Sequence, residues 1–147
     1  MNKELIISII TIIIISYIGN INTSKNVNTK WYECIKSEYT PPKFVFPIVW
    51  TILYLFLIIC FQKVLLSNKK DLILLFILNL ILNVTWTYLY FNKKNIKDSF
   101  INIILLIGTS LIIYYKEKEM RNLYIYYILW LVCAGFLNYD SIGKLCN

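Results

Sequence analysis

LILLFILNLILNVTWTYLYF, residues 72–91, is a run of twenty positions without an acidic or basic side chain. At 1.5 Å rise per residue, a helix of that length spans about 30 Å, the thickness of a bilayer's hydrocarbon core; a barrel strand needs only half as many residues. Charges stand immediately outside it: Lys69, Lys70 and Asp71 before, Lys93 and Lys94 after. Placing a charge in hydrocarbon costs several kcal/mol, so this segregation is what a membrane imposes on a crossing segment. Outward from it, the pattern repeats over about residues 5–21, 44–66, 99–115 and 122–139, with the charges gathered between the runs apart from Lys63 near the end of the second. Of the 147 residues, 59% are hydrophobic and 16% charged, against roughly a quarter charged in soluble domains. The expectation is an integral multi-pass membrane protein: one all-α domain over 1–147, a five transmembrane helix bundle.

Short connections join the second to fifth spans, making them sequential antiparallel neighbours. The first loop, about 22–43, is the exception, long enough to be either a lid over one end or a polar connector. Thr40, Pro41 and Pro42 precede the second span, the hydroxyl placed to cap and the prolines suited to a first turn; Pro47 should bend or loosen that turn. The first run also reads as a signal-peptide core, but no small-x-small site follows it, which favours a retained helix. Lys and Arg divide seven against eight between the two sides, so the positive-inside rule gives no orientation. Asn22-Thr23-Ser24 is a glycosylation sequon in the first loop. Five spans do not form two equal halves, which weighs against an inverted-repeat carrier.

The chain has no histidine, which excludes Ser/His/Asp and Cys/His catalytic centres, imidazole zinc sites and histidine-ligated haem; no metal and no cofactor is expected. The middle of every span is free of charge, which removes proton relays and ion-coordinating carboxylates. The net charge of +7 is dispersed over every loop, as suits lipid headgroups and not nucleic acid. Cys34, Cys60, Cys133 and Cys146 have no metal or redox spacing and read as thiols acting as small hydrophobes.

The spans carry aromatic and amide side chains at helical spacing. Phe46, Trp50 and Tyr54 form one stripe, Asn79, Asn83, Trp86 and Tyr90 a second, and Trp130, Ala134, Leu137 and Asn138 a third. Tryptophan near a span end is commonly an interfacial anchor, and asparagine within one commonly bonds between helices. Trp130 lies about eight residues into its span, roughly 12 Å deep, so its indole N–H needs a partner inside the bundle. Cys133, Ala134 and Gly135 beside it either admit a neighbouring helix or leave room for a flat ligand.

At these residues the chain resembles the TspO/MBR family, the tryptophan-rich sensory proteins that include the mitochondrial translocator protein or peripheral benzodiazepine receptor. The segments are Trp31-Tyr32, Pro41-Pro42-Lys43-Phe44-Val45-Phe46, Val49-Trp50-Thr51-Ile52-Leu53-Tyr54, Leu82-Asn83 with Trp86 and Tyr90-Phe91, and Trp130 with Ala134 and Leu137-Asn138-Tyr139. The resemblance implies a bundle, commonly a homodimer, whose first loop closes over a pocket, in an organelle outer membrane or a bacterial envelope. It implies binding of porphyrins such as protoporphyrin IX, of benzodiazepine-type ligands and in some members of cholesterol. Trp50, Tyr54, Asn83, Trp86, Trp130, Ala134, Leu137 and Asn138 are the expected ligand-binding positions, with Lys36 and Lys43 as cations for porphyrin carboxylates. Trp50 and Trp130 would be the catalytic pair if the chain degrades porphyrin in light. Leu137, Tyr139 and Lys144 match the loose cholesterol-recognition pattern. The sequence leaves three functions open: a receptor or scavenger of planar lipophiles, a light-dependent enzyme, and a transporter or helix-packing module without its own ligand. Departures from the family pattern, with Pro47 one residue early, a shortened first loop and no Lys-Pro there, bear on loop closure and pocket shape.

Overall fold

The computed structural model describes residues 1–146. Six α-helices order the chain: α1 Lys3–Ser24, the short α2 Lys30–Ile35, α3 Val45–Leu66, α4 Lys70–Thr87, α5 Ile96–Lys116 and α6 Arg121–Asp140. A π-helical turn, Tyr88–Asn92, extends α4, and a 3₁₀ turn, Lys118–Met120, leads into α6. Five elements are long and apolar enough to cross a membrane, so the protein is an integral multi-pass membrane protein. α1 packs on α3 and α4, α3 on α6, α6 on α5 and α5 on α4, closing a ring. Isoleucine and leucine side chains exposed on its outside, among them Ile10, Leu74, Ile101 and Leu129, are the surface that hydrocarbon covers.

Side chains close several helix ends. Asn2 Oδ1 accepts from Leu5 N at 3.0 Å, Thr29 Oγ1 from Tyr32 N at 3.2 Å and Asn95 Oδ1 from Asp98 N at 3.1 Å, capping α1, α2 and α5. α3 differs from the sequence expectation. Its cap position is Phe44, with no side-chain hydrogen bond, and Thr40 lies four residues upstream. Pro47 is the third helical residue, where an N–H has no intrahelical partner, so the ring removes nothing. α1 runs three residues past the expected end. That places Asn22 inside a helix at 6% exposure, with Nδ2 on Thr87 Oγ1 and Oδ1 accepting from Asn92 Nδ2, each at 3.0 Å. The sequon is therefore a helix contact, closed to a glycosyl group.

The half of the bundle remote from α2 is tightly filled. Phe61 stacks on Phe76 with centroids 4.9 Å apart and planes at 10°, Tyr124 closes on Phe76 at 5.9 Å, and Leu57, Leu72, Leu106 and Ile113 fill the spaces between. Amides and hydroxyls bind the helices where no water is available. Asn79 Nδ2 donates to Thr109 Oγ1 and Ser110 Oγ at 2.8 Å, with Leu106 O 3.2 Å away, while its Oδ1 accepts from Tyr127 Oη at 3.1 Å. Asn83 Nδ2 donates to the same Tyr127 oxygen at 3.0 Å. One amide thus joins α4, α5 and α6. Asn79→Leu keeps the branched shape but leaves the Tyr127 O–H without an acceptor and Thr109 and Ser110 without their donor, and a loss of about 1–2 kcal/mol should appear in thermal or denaturant unfolding of the detergent-solubilised protein.

The cysteines depart from expectation. Cys60 is buried and Cys133 exposed on the outer surface, but Cys34 of α2 is bonded to Cys146 of the C-terminal tail, Cα atoms 5.9 Å apart. A separation of 112 residues hides this pairing, because only the path through the four spans α3 to α6 returns the tail to α2.

Candidate functional site

The C-terminal half of α1, the N-terminal half of α3, the end of α4 and the middle of α6 touch at their edges but do not fill the space between them. They leave a cavity of about 750 Å³ beneath α2, within the ~300–1,000 Å³ typical of small-molecule sites. Aromatic faces make its walls. Trp50 stacks on Tyr54 with centroids 5.4 Å apart, and meets Trp130 edge-on at 6.5 Å and 89°. Phe46 lies 5.8 Å from Trp130, and Trp86, Tyr32 and Phe91 complete the end under α2. The opposite wall is small and polar: Ser16, Gly19, Asn20 and Thr23 of α1. A Cβ on Gly19 would lie 3.5 Å from Tyr54 Oη, so anything beyond alanine there projects into the cavity. Ile13, Tyr17 and Leu55, exposed on the outside, line its margin, so the cavity reaches the lipid-facing surface between α1 and α3.

Helix spacing explains the convergence. Residues 46, 50 and 54 are one turn apart, and residues 130 and 134 one turn apart on the facing helix. On α1, residues 16, 19, 20 and 23 follow offsets 0, 3, 4 and 7, a small-residue face that sequence reasoning missed although the periodicity carries it.

α2 is the roof. Trp31, Tyr32 and Ile35 are buried against Tyr90 and Phe91, with Trp31 edge-on to Tyr90 at 6.2 Å and Tyr32 on Phe91 at 5.6 Å. Lys94 lies over the Trp31 ring at 5.1 Å. Lys43 is the charged residue on the cavity wall; its ammonium is 2.6 Å from Glu33, which also pairs with Lys36 at 2.7 Å. Hydrogen bonds from these two ammonium groups hold the Glu33 carboxyl well below the usual carboxylate range, so it is ionised throughout physiological pH.

The expected site residues do not all meet in one place. Trp50, Tyr54, Trp86, Trp130 and Ala134 line the cavity. Leu137 and Asn138, with Ala134 and Trp86, line a second, much smaller pocket of about 40 Å³. Asn138 is committed structurally, its Oδ1 accepting from Trp86 Nε1 at 2.9 Å and Ser99 Oγ at 3.0 Å, and its Nδ2 donating to Ile96 O at 3.1 Å. Asn83 borders neither space, because its amide is turned to Tyr127. Trp130 also differs from expectation: its indole N–H is buried with no acceptor. Of the two lysines, Lys43 alone is on the wall. The cholesterol pattern does not form one surface. Leu137 faces the small pocket, Tyr139 points outward at 62% exposure, and Lys144 Nζ donates to Lys36 O at 2.8 Å.

The sequence profile of the TspO/MBR family matches residues 7–142, nearly the whole chain. The chain belongs to the TspO/MBR family. The match runs from α1 through α6, so every helix around the cavity of this TspO/MBR protein falls within it. A comparison with curated proteins gives no match.

Trp86 and Trp50 are chemically alike but differently held. Trp86→Phe removes the donor to Asn138 and should cost about 1 kcal/mol in thermal unfolding. Trp50→Phe, on the cavity wall, should cost less.

Proposed function

We propose that the protein is a membrane receptor or scavenger that takes porphyrins, protoporphyrin IX in the first place, and similar planar lipophiles into the cavity beneath α2. The observation that carries this reading is the pairing of three aromatic faces, Trp50, Tyr54 and Trp130, with a single cation, Lys43, on one wall of a 750 Å³ space. A porphyrin is a flat apolar macrocycle bearing two carboxylates. Its faces match indole and phenol rings stacked or edge-on, and its acidic edge matches an ammonium group at the mouth. The small α1 wall of Ser16, Gly19, Asn20 and Thr23 gives a slab-shaped ligand room to lie against helix backbone. Family membership supports the same class, together with benzodiazepine-type ligands, cholesterol and a homodimeric assembly.

A second reading is favoured by one feature, the two indoles sharing the cavity at 6.5 Å. Either is a plausible electron donor to a photoexcited porphyrin, so light-dependent breakdown through Trp50 and Trp130 is the enzymatic alternative. It requires a changed absorption spectrum under illumination only, lost in either tryptophan variant; binding without conversion removes it.

Titrating the protein with protoporphyrin IX in nanodiscs should give saturable tryptophan quenching. Trp130→Ala should weaken binding roughly tenfold, in line with the loss of a large aromatic contact. Lys43→Gln should weaken binding of the free dicarboxylate but leave its dimethyl ester unaffected. Non-saturable quenching, or identical isotherms for wild type and Trp130→Ala, overturns the reading.

A further inference from the structure

The roof is fastened at its far edge by a covalent bond. Gly143, at φ 86, holds the left-handed conformation that glycine adopts without strain, and the tail beyond it continues to α2. There Cys146 is bonded to Cys34, and Lys144 Nζ donates to Lys36 O, the residue that closes α2. The tail is itself anchored: Ser141 Oγ lies 3.0 Å from Tyr90 Oη and accompanies the end of α6. The path Cys34–Cys146–Ser141–Tyr90 therefore ties α2 to the π-helical turn on which Trp31 and Tyr32 rest. Apart from that bond, α2 is held to the bundle by aromatic contacts, by the Lys144 hydrogen bond and by exposed ion pairs, which contribute little individually. Cys34 is exposed, so a solution thiol can reach its sulfur.

We propose that the Cys34–Cys146 disulfide is a reducible latch that keeps α2 closed over the cavity and thereby sets how fast ligand enters and leaves. This rests on the reading of the cavity as a ligand site. The chemistry is thiol–disulfide exchange with an external dithiol. Its thiolate attacks the Cys34 sulfur, Cys146 departs as thiolate and takes a proton, and the second thiol of the reductant resolves the mixed disulfide. Two electrons and two protons pass to Cys34 and Cys146, and the reductant leaves as its own disulfide. An oxidising compartment keeps the latch shut and a reducing one opens it. Cys60, buried at 0% exposure, and Cys133, on the outer face of α6, take no part.

The test uses the full-length protein in nanodiscs, with and without dithiothreitol, and two readouts. Hydrogen exchange of residues 30–36 reports the lid without any ligand, and the release rate of bound protoporphyrin IX reports its effect on the cavity. Reduction should speed both roughly tenfold, since a cross-link acts by restricting the open state. Cys34→Ser should be fast from the outset and indifferent to dithiothreitol, and Cys133→Ser should respond as wild type. Because wild type is reduced after folding, poor folding of Cys34→Ser does not obscure the result. Unchanged exchange on reduction, or alkylation of Cys34 and Cys146 without reductant, overturns the latch. Faster exchange in a protein that never binds the porphyrin supports the latch and sinks the cavity reading instead.

Discussion

Water is missing at bilayer depth, so a polar group there gains most from a partner within the protein and is costly without one. Asn79 is where that constraint is most concentrated, a single amide serving Thr109, Ser110 and Tyr127 and so joining three helices. Since lipid tails are as apolar as leucine, helices gain little from burying leucine against leucine. Partner choice then rests on such hydrogen bonds and on close packing. Asn22 with Thr87 and Asn92 does for α1 and α4 what Asn79 does for α4, α5 and α6.

Stability and accessibility are divided between the two ends. The half remote from α2 is filled by stacked phenylalanines and aliphatic side chains, and its outer rim is tied by Lys116–Asp71 at 2.6 Å and Lys69–Glu117 at 3.3 Å. The half beneath α2 holds back from closure because α1 presents Ser16, Gly19, Asn20 and Thr23 to bulky rings on α3 and α6. Small opposite large leaves a hollow, and the well-packed half keeps the helices from collapsing into it.

Charge segregation and run length made the five spans legible, because both are imposed residue by residue by hydrocarbon. The stripes of Phe46, Trp50 and Tyr54 and of Trp130 and Ala134 were legible for the same geometric reason, and they meet in the cavity. Asn83 and Asn138 sit at matching spacing but serve the protein interior: periodicity names a helix face and not what lies opposite it. Thr40 looked like a cap since Pro41 and Pro42 suggested a helix start, but the helix begins after Phe44. The cross-link between Cys34 and Cys146 was invisible, because it depends on where the tail arrives after the four crossings from α3 to α6 and leaves no trace in local spacing.

The π-helical turn at Tyr88–Asn92, marked by Lys93 N on Tyr88 O at 3.0 Å, carries one residue more than a regular α-turn. In an ordinary helix, adjacent residues diverge by about 100°, yet Tyr90 and Phe91 are both buried against α2. The widened turn gives the roof a seat two rings broad. Excising one residue would restore a regular ladder and swing that seat about a third of a turn around the axis, while Trp50 and Trp130, on other helices, stayed in place. The seat of the roof and the paired indoles are thus encoded in different stretches of chain, and Phe91, which belongs to both seat and hollow, is where a change in one is felt by the other.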